Sequence, residues 1–225
     1  MKGYVSAGLL VLFATVLVLV PGCANIQQQD SSGTTQRDQT EQLTQDSSER
    51  EESRVVSAEP LKTIHDFPAD QDGDHVEAVI MTAKGDIVLH FYREVAPVTV
   101  SSFLNRARQG YYDGQCFHRV VPGFVIQAGD PLSTNPTDPY LGTGGPGYRI
   151  PAEFNQLPHL DGTLSMARSE DKNSGGSQFF ICLGPQPSLN SQYTVFGQTV
   201  QGLEVVHSIV QGDVIDRVVI RPRTG

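Results

Sequence analysis

Apolar positions fall into three regimes along the chain. Val5 to Val20 is a predominantly apolar run behind a single Lys2, shorter than the ~20 residues a membrane-spanning helix needs. Residues 24 to about 72 are Gln, Ser, Thr, Asp and Glu with few large apolar groups. Such a stretch cannot bury enough surface to offset the entropy of ordering and is expected to be disordered. From about residue 73 onward, short apolar runs alternate with turn residues. Val76 to Met81 and Ile87 to Phe91 read as strands joined at Lys84-Gly85, a β-hairpin. Pro97 to Gln109 carries Val100, Phe103, Leu104 and Ala107 at helical spacing, with Pro97 suited to the first turn and Gly110 to the end. Further strands are expected over 117–121, 124–128, 163–167, 178–183, 194–200 and 214–220, with a short helix over 203–210. Many antiparallel-looking strands and two helices predict an all-β-dominated domain, a closed barrel capped at its ends.

Composition narrows the class. The 22 glycines and 14 prolines among 225 residues, with no Trp, suit strands and turns better than a helical bundle. A net charge of −9 excludes a nucleic-acid role, because phosphate binding needs clustered Lys and Arg. Of the three cysteines, Cys116 and Cys182 sit in apolar strand-like runs. There they are expected to pack as free thiols rather than to pair.

The third cysteine closes the first apolar run, in Val20-Pro21-Gly22-Cys23. This ending resembles the lipobox of bacterial lipoproteins. The resemblance implies removal of residues 1–22 as a signal peptide, acylation of Cys23, a polar tether over 23–72 and a globular domain over 73–225. A plain secretory signal or an uncleaved anchor are the alternatives. The implied location is the bacterial cell envelope, extracytoplasmic and lipid-anchored. A flexible tether of this length reaches roughly 35–40 Å, enough to hold a domain clear of a membrane surface.

Several apparent sites carry no chemistry. Asp70, Asp72 and Asp74 suggest calcium, but an EF-hand needs Gly at its sixth position and Glu at its twelfth, where His75 and Met81 stand. The six His show no metal-ligand spacing, and neither metal nor cofactor is expected. Gly142 to Gly147 lacks the Lys-Ser/Thr ending of a phosphate loop and reads better as a glycine-rich wall of a substrate groove. Gly176-Ser177-Gln178 lacks the second glycine of a nucleophile elbow.

The segment Phe117-His118-Arg119-Val120-Val121-Pro122-Gly123-Phe124-Val125-Ile126-Gln127-Ala128-Gly129-Asp130 is the most informative. Pro122-Gly123 reads as a turn between two short strands. Alternation then allows Arg119, Gln127 and Phe124 to share a face, a polar pair beside an apolar floor. By themselves these residues also fit a surface arginine on a hairpin. His118 reads as a structural, hydrogen-bonding residue rather than a base.

Four blocks in order decide between those readings. The segment above, then Leu164 to Ala167, Gly176 to Ile181 and Tyr193 to Gly197, resemble the signatures of the cyclophilin family over residues 75–222. The resemblance implies a closed eight-stranded antiparallel β-barrel capped by two α-helices, and peptidyl-prolyl cis–trans isomerase activity on proline-containing polypeptides. It implies Arg119 and Gln127 as catalytic residues. Phe124, Val125, Ala167, Arg168, Gln178, Phe180, Leu189 and Tyr193 are implied as substrate-binding. Val125, Arg168 and Tyr193 depart from the commoner Met, Asn and His. Ser188 stands where many eukaryotic members carry the Trp associated with cyclosporin binding, so weak drug affinity is expected. The expected enzyme is a monomer that assists folding of exported or envelope proteins. The alternative is a proline-peptide binding module with little turnover.

Overall fold

The computed structural model describes residues 75–223. The expectations for the signal segment, Cys23 and the tether lie outside them. The elements are β1 (Val76–Thr82), β2 (Gly85–Phe91), α1 (Pro97–Arg108), β3 (Arg119–Val121), β4 (Val125–Ala128), β5 (Thr163–Met166), β6 (Phe179–Cys182), β7 (Val195–Gln201), α2 (Leu203–Ser208) and β8 (Ile215–Pro222). Two 3-10 turns, Pro131–Thr134 and Pro187–Leu189, were not foreshadowed by periodicity. Both begin at a proline, which presets the backbone for a single tight turn.

All strand pairs are antiparallel, and the strands lie in the order β3-β4-β6-β5-β7-β2-β1-β8 in one sheet. The first hairpin forms as its sequence predicts. Thr82 faces Gly85 across the turn, and its hydroxyl donates to Gly85 O at 2.9 Å. Ala78 and Ile80 stand opposite Leu89 and Ile87 and face the core. Glu77, on the opposite face of β1, is buried by Arg221 and His90, which hold its carboxylate at 2.7 and 3.1 Å.

The expected closed barrel is corrected to an open half-barrel, in which β3 and β8 are the two edges of a curled sheet. The physical reason lies in β3, which is only three residues long. Pro122, which has no N–H, and Gly123, at φ +70°, turn the chain at once into β4. The segments leading into the edge strands meet through one isolated bridge, Cys116 opposite Val214. Gly114 N donates to Ile215 O at 2.8 Å and Phe117 N to Asp213 O at 2.9 Å.

Helix α1 has Pro97 in its first turn but no cap from its own sequence, since Ala96 precedes it. The cap comes from far along the chain. Glu153 accepts from Val98 N at 2.9 Å, Thr99 N at 2.8 Å and the Thr99 hydroxyl at 2.7 Å. A carboxylate there satisfies orphan amides and the positive end of the helix dipole. Phe103 on α1 packs into the sheet among Phe91, Tyr112, Phe179 and Phe196, with ring centroids 5.0–5.8 Å apart.

Candidate active site

Strand β4 carries two faces in four residues. Ile126 and Ala128 belong to the main core, opposite Ile181 and Phe179 of β6. Val125 and Gln127 point the other way, opposite Cys182 and Phe180. On β3, Arg119 stands opposite Gln127. Residues directly opposed across a ladder share a face, so Arg119, Gln127 and Phe180 project together from the outer side of the sheet.

The polar groups form a row. Arg119 Nη1 donates to Gln127 Oε1 at 3.3 Å, and its guanidinium carbon lies 5.9 Å from the Phe124 ring centroid. Gln127 Nε2 donates to Gln178 Oε1 at 2.9 Å. Gln178 Nε2 in turn donates to Gly142 O at 3.0 Å and Gly144 O at 2.8 Å. Buried Asp130 holds that glycine-rich loop by accepting from the Gly142 and Gly144 amides. A Cβ on Gly144 would stand 2.1 Å from Asp130 Oδ1, and one on Gly129 would stand 2.2 Å from Ser177 O. Close backbone approach, not turn chemistry alone, demands glycine at both positions.

Beside the row lies a second, smaller apolar cluster of Val125, Phe180, Cys182 and Leu189, with Phe124, Ala167 and Tyr193 against it. Phe180 meets Tyr193 edge to face at 5.6 Å and is backed by His159, stacked at 6.0 Å. The His159 ring is itself fixed, with Asn190 Oδ1 3.2 Å from Nδ1 and Ser165 Oγ 3.0 Å from Nε2. Burial lowers the His159 pKa, against a smaller opposing effect of the Asn190 hydrogen bond, so the ring is an uncharged support. Arg168 lies over the Tyr193 ring at 4.6 Å, its Nε donating to Gln192 O at 3.1 Å and Nη1 to Ser169 O at 2.8 Å.

These groups enclose a groove of about 250 Å³ lined by Arg119, Phe124, Val125, Gln127, Ala167, Arg168, Phe180, Leu189 and Tyr193. Nine of the ten residues that the sequence singled out are therefore brought together. Gln178 is the tenth, and it lines a neighbouring cavity of about 360 Å³ instead. The Gly142 to Pro146 wall lines that second cavity as well, which shares Gln127, Ala167 and Arg168 with the first groove. Sequence reasoning missed Arg149, Asp130 and His159. None sits in a periodic element, and each acts through partners distant in sequence.

His118 meets the expectation of a structural role in part. It is buried, and neither ring nitrogen has a partner at full hydrogen-bond geometry. Burial lowers its pKa, although the Asp130 charge and the nearby Gln178 side chain and Cys116 backbone work in the opposite direction. It packs as a structural ring, and its contacts to Gln178 and Cys116 fall short of full hydrogen-bond geometry. Cys116 and Cys182 are free and buried, as expected.

The family model for cyclophilin type peptidyl-prolyl cis-trans isomerase/CLD matches residues 78–223. The chain belongs to the cyclophilin family. A peptidyl-prolyl cis-trans isomerase of Synechococcus elongatus is 51% identical over 139 residues, which cover 61% of this chain and 90% of that protein. The peptidyl-prolyl cis-trans isomerase B of Bacillus subtilis is 48% identical over 134 residues, covering 59% and 88%. A crystal structure of a Cryptosporidium parvum cyclophilin type isomerase aligns at TM-score 0.59 and 28% identity, covering 67% of this chain and 99% of that one. The same protein crystallised in the presence of the dipeptide Ala-Pro aligns at TM-score 0.55 and 30% identity, covering 66% and 99%. This cyclophilin is a peptidyl-prolyl cis–trans isomerase.

Proposed function

We propose that the groove holds an X–Pro segment with the proline ring against Phe124, Val125, Phe180 and Leu189, and that Arg119 is the catalytic donor. The observation that carries this is Arg119, aimed by Gln127 and lining the same groove as the apolar Phe124, Val125, Phe180 and Leu189. The related protein crystallised with Ala-Pro supports reading the groove as a proline site. Rotation about a peptide bond must break amide resonance, with a barrier of ~18–20 kcal/mol. Turnover at ~10³ per second needs a barrier near ~13 kcal/mol, so the site must supply roughly 5–7 kcal/mol. Breaking resonance makes the prolyl nitrogen pyramidal and gives it a lone pair. Arg119 donates a charged hydrogen bond to that lone pair, which the planar ground state offers only weakly. Such an interaction is stronger in the transition state than in the substrate, which is the condition for catalysis. One preorganised donor is worth ~3–4 kcal/mol. Taking the amide out of water contributes more, since water stabilises the polar planar form. The purified full chain should therefore accelerate isomerisation of a short Ala-Pro peptide. Tight peptide binding without acceleration would leave a binding module instead.

The envelope role rests on sequence. The apolar run ending at Cys23, followed by the polar stretch to residue 72, supports a lipid-anchored, extracytoplasmic enzyme acting on exported chains. Wild type should fractionate with membranes, and Cys23→Ser should shift protein to the soluble fraction. A soluble wild type would refute the anchor.

A further inference from the structure

The second cavity carries a charge of one sign. It joins the proline groove through shared Gln127, Ala167 and Arg168, and at about 360 Å³ it has room for a substrate side chain. Two arginines, Arg149 and Arg168, are among the residues that line it, and among the described residues no Asp or Glu is. Buried Asp130, which holds the Gly142–Gly144 loop, is occupied by the Leu132, Gly142 and Gly144 amides it accepts from. Arg168 is held by backbone carbonyls and aromatic rings, and among the described residues no carboxylate pairs with it. Arg149 has one acidic partner, Asp171 at 3.3 Å, but both side chains are more than half exposed. A pair so exposed is weak and readily exchanged for a better acceptor. Of the remaining wall, Gly142, Gly144, Gly145 and Gly176 offer backbone rather than apolar side chains.

We infer that this cavity makes the enzyme selective for X–Pro substrates carrying an acidic residue near the proline, whose carboxylate is taken between Arg149 and Arg168. The inference rests on the proline groove being the isomerisation site. It names the substrate class for that site. Arg168 is the pivot, since it lines both spaces and so couples occupancy of the second cavity to the bond that turns in the first. The overall charge of −9 opposes general attraction of acidic peptides. A preference for one therefore has to arise locally, from these two groups.

The test is a set of proline peptides in which Glu, Gln or Lys is scanned through the positions on either side of the X–Pro bond. At one position, kcat/KM for Glu should exceed that for Gln by about five- to thirty-fold, the scale of one charge-assisted hydrogen bond. Raising salt from 0.05 to 0.5 M should shrink the ratio, because the site is open to solvent. Arg149→Gln/Arg168→Gln should bring the ratio close to one, whatever it does to absolute turnover. Arg149→Glu should tilt the same position toward Lys. Normal turnover of the Gln peptides with no Glu preference at any position would overturn the inference and leave the isomerase reading intact. A preference that survives in the double variant would also overturn it. Absence of turnover for every peptide would remove both readings together.

Discussion

Removing the Arg119 guanidinium should separate catalysis from folding. In the structure this side chain is exposed, makes one hydrogen bond at 3.3 Å to Gln127 and lies 5.9 Å from the Phe124 ring. A long hydrogen bond and a distant cation–π contact at an exposed site together contribute about 1 kcal/mol or less to stability. The effect on the transition state is much larger. Losing one preorganised donor costs ~3–4 kcal/mol, so Arg119→Ala should lower kcat/KM by about 10²–10³. Arg119→Lys should also be poor, since an ammonium cannot hold Gln127 Oε1 and the prolyl nitrogen with the fixed spacing of a guanidinium fork. The assay is isomerisation of a short proline peptide, followed by protease coupling or exchange spectroscopy, with circular dichroism and a urea midpoint on each variant. Folded Arg119→Ala protein with wild-type kcat/KM would refute the mechanism. A variant that loses activity only because it unfolds would refute the placement of Arg119 outside the core.

Four further outcomes follow from the same geometry. Phe180 is 5% exposed and packed against Tyr193 and His159, so Phe180→Ala should cost ~3–5 kcal/mol in urea unfolding as well as the groove wall; unchanged stability would contradict its packing. Burial pushes the Cys182 thiol up to about 12 and raises Cys116 as well, so neither should react with a thiol reagent at pH 7.5 until the protein is denatured; rapid native labelling would show the burial to be wrong. Ser188 is exposed on the Pro187–Leu189 turn beside groove-lining Leu189 and supplies no indole, so cyclosporin should inhibit weakly and Ser188→Trp should strengthen it; equal tight inhibition of both would dissociate this position from the drug. Stability should fall with acidification in two stages. Burial lowers the His118 and His159 pKa values below 6.5 in the fold, so their contribution is present above that value and lost as pH falls through the folded pKa. For Glu77, burial acts upward, but hydrogen bonds and charge from Arg221 and His90 outweigh it and leave the carboxylate below 4.5, so its contribution is lost lower still; urea midpoints against pH should lose that lower stage in Glu77→Gln, and an unchanged profile would refute the assignment.

How far the sequence reaches depends on the range of each interaction. The first hairpin was legible because Thr82 to Gly85 turns within four residues and its alternation is local. The groove was legible through the four blocks in order, since Arg119 and Gln127, eight residues apart on one hairpin, by themselves also fit a surface arginine. What stayed hidden depends on distant partners. Nothing near Pro97 announces that Glu153 will cap α1. Nothing near Phe180 announces that His159, from an irregular segment, will stack behind it. The barrel closure was misjudged for a related reason. Strand count does not decide whether a sheet closes; closing it needs edge strands long enough to pair, and β3 ends after three residues at Pro122.

The brevity of that hairpin also bears on the site. In Val125-Ile126-Gln127-Ala128, core and groove residues alternate without a spare position. A shift of one residue in the β4–β6 register would bury Gln127 among Ile181 and Phe179 and turn Ile126 outward. That arrangement would strand an amide in the core and leave Arg119 without its partner. The apolar contacts of Ile126 and Ala128 therefore fix the position of Gln127. Through the 3.3 Å bond to Gln127 they also set the aim of Arg119. Arg119 sits on a three-residue edge strand with its side chain exposed, yet its reference point is the packed β4–β6 pair beside it. An arginine can thus stay solvent-accessible to incoming chains and still be held in one direction.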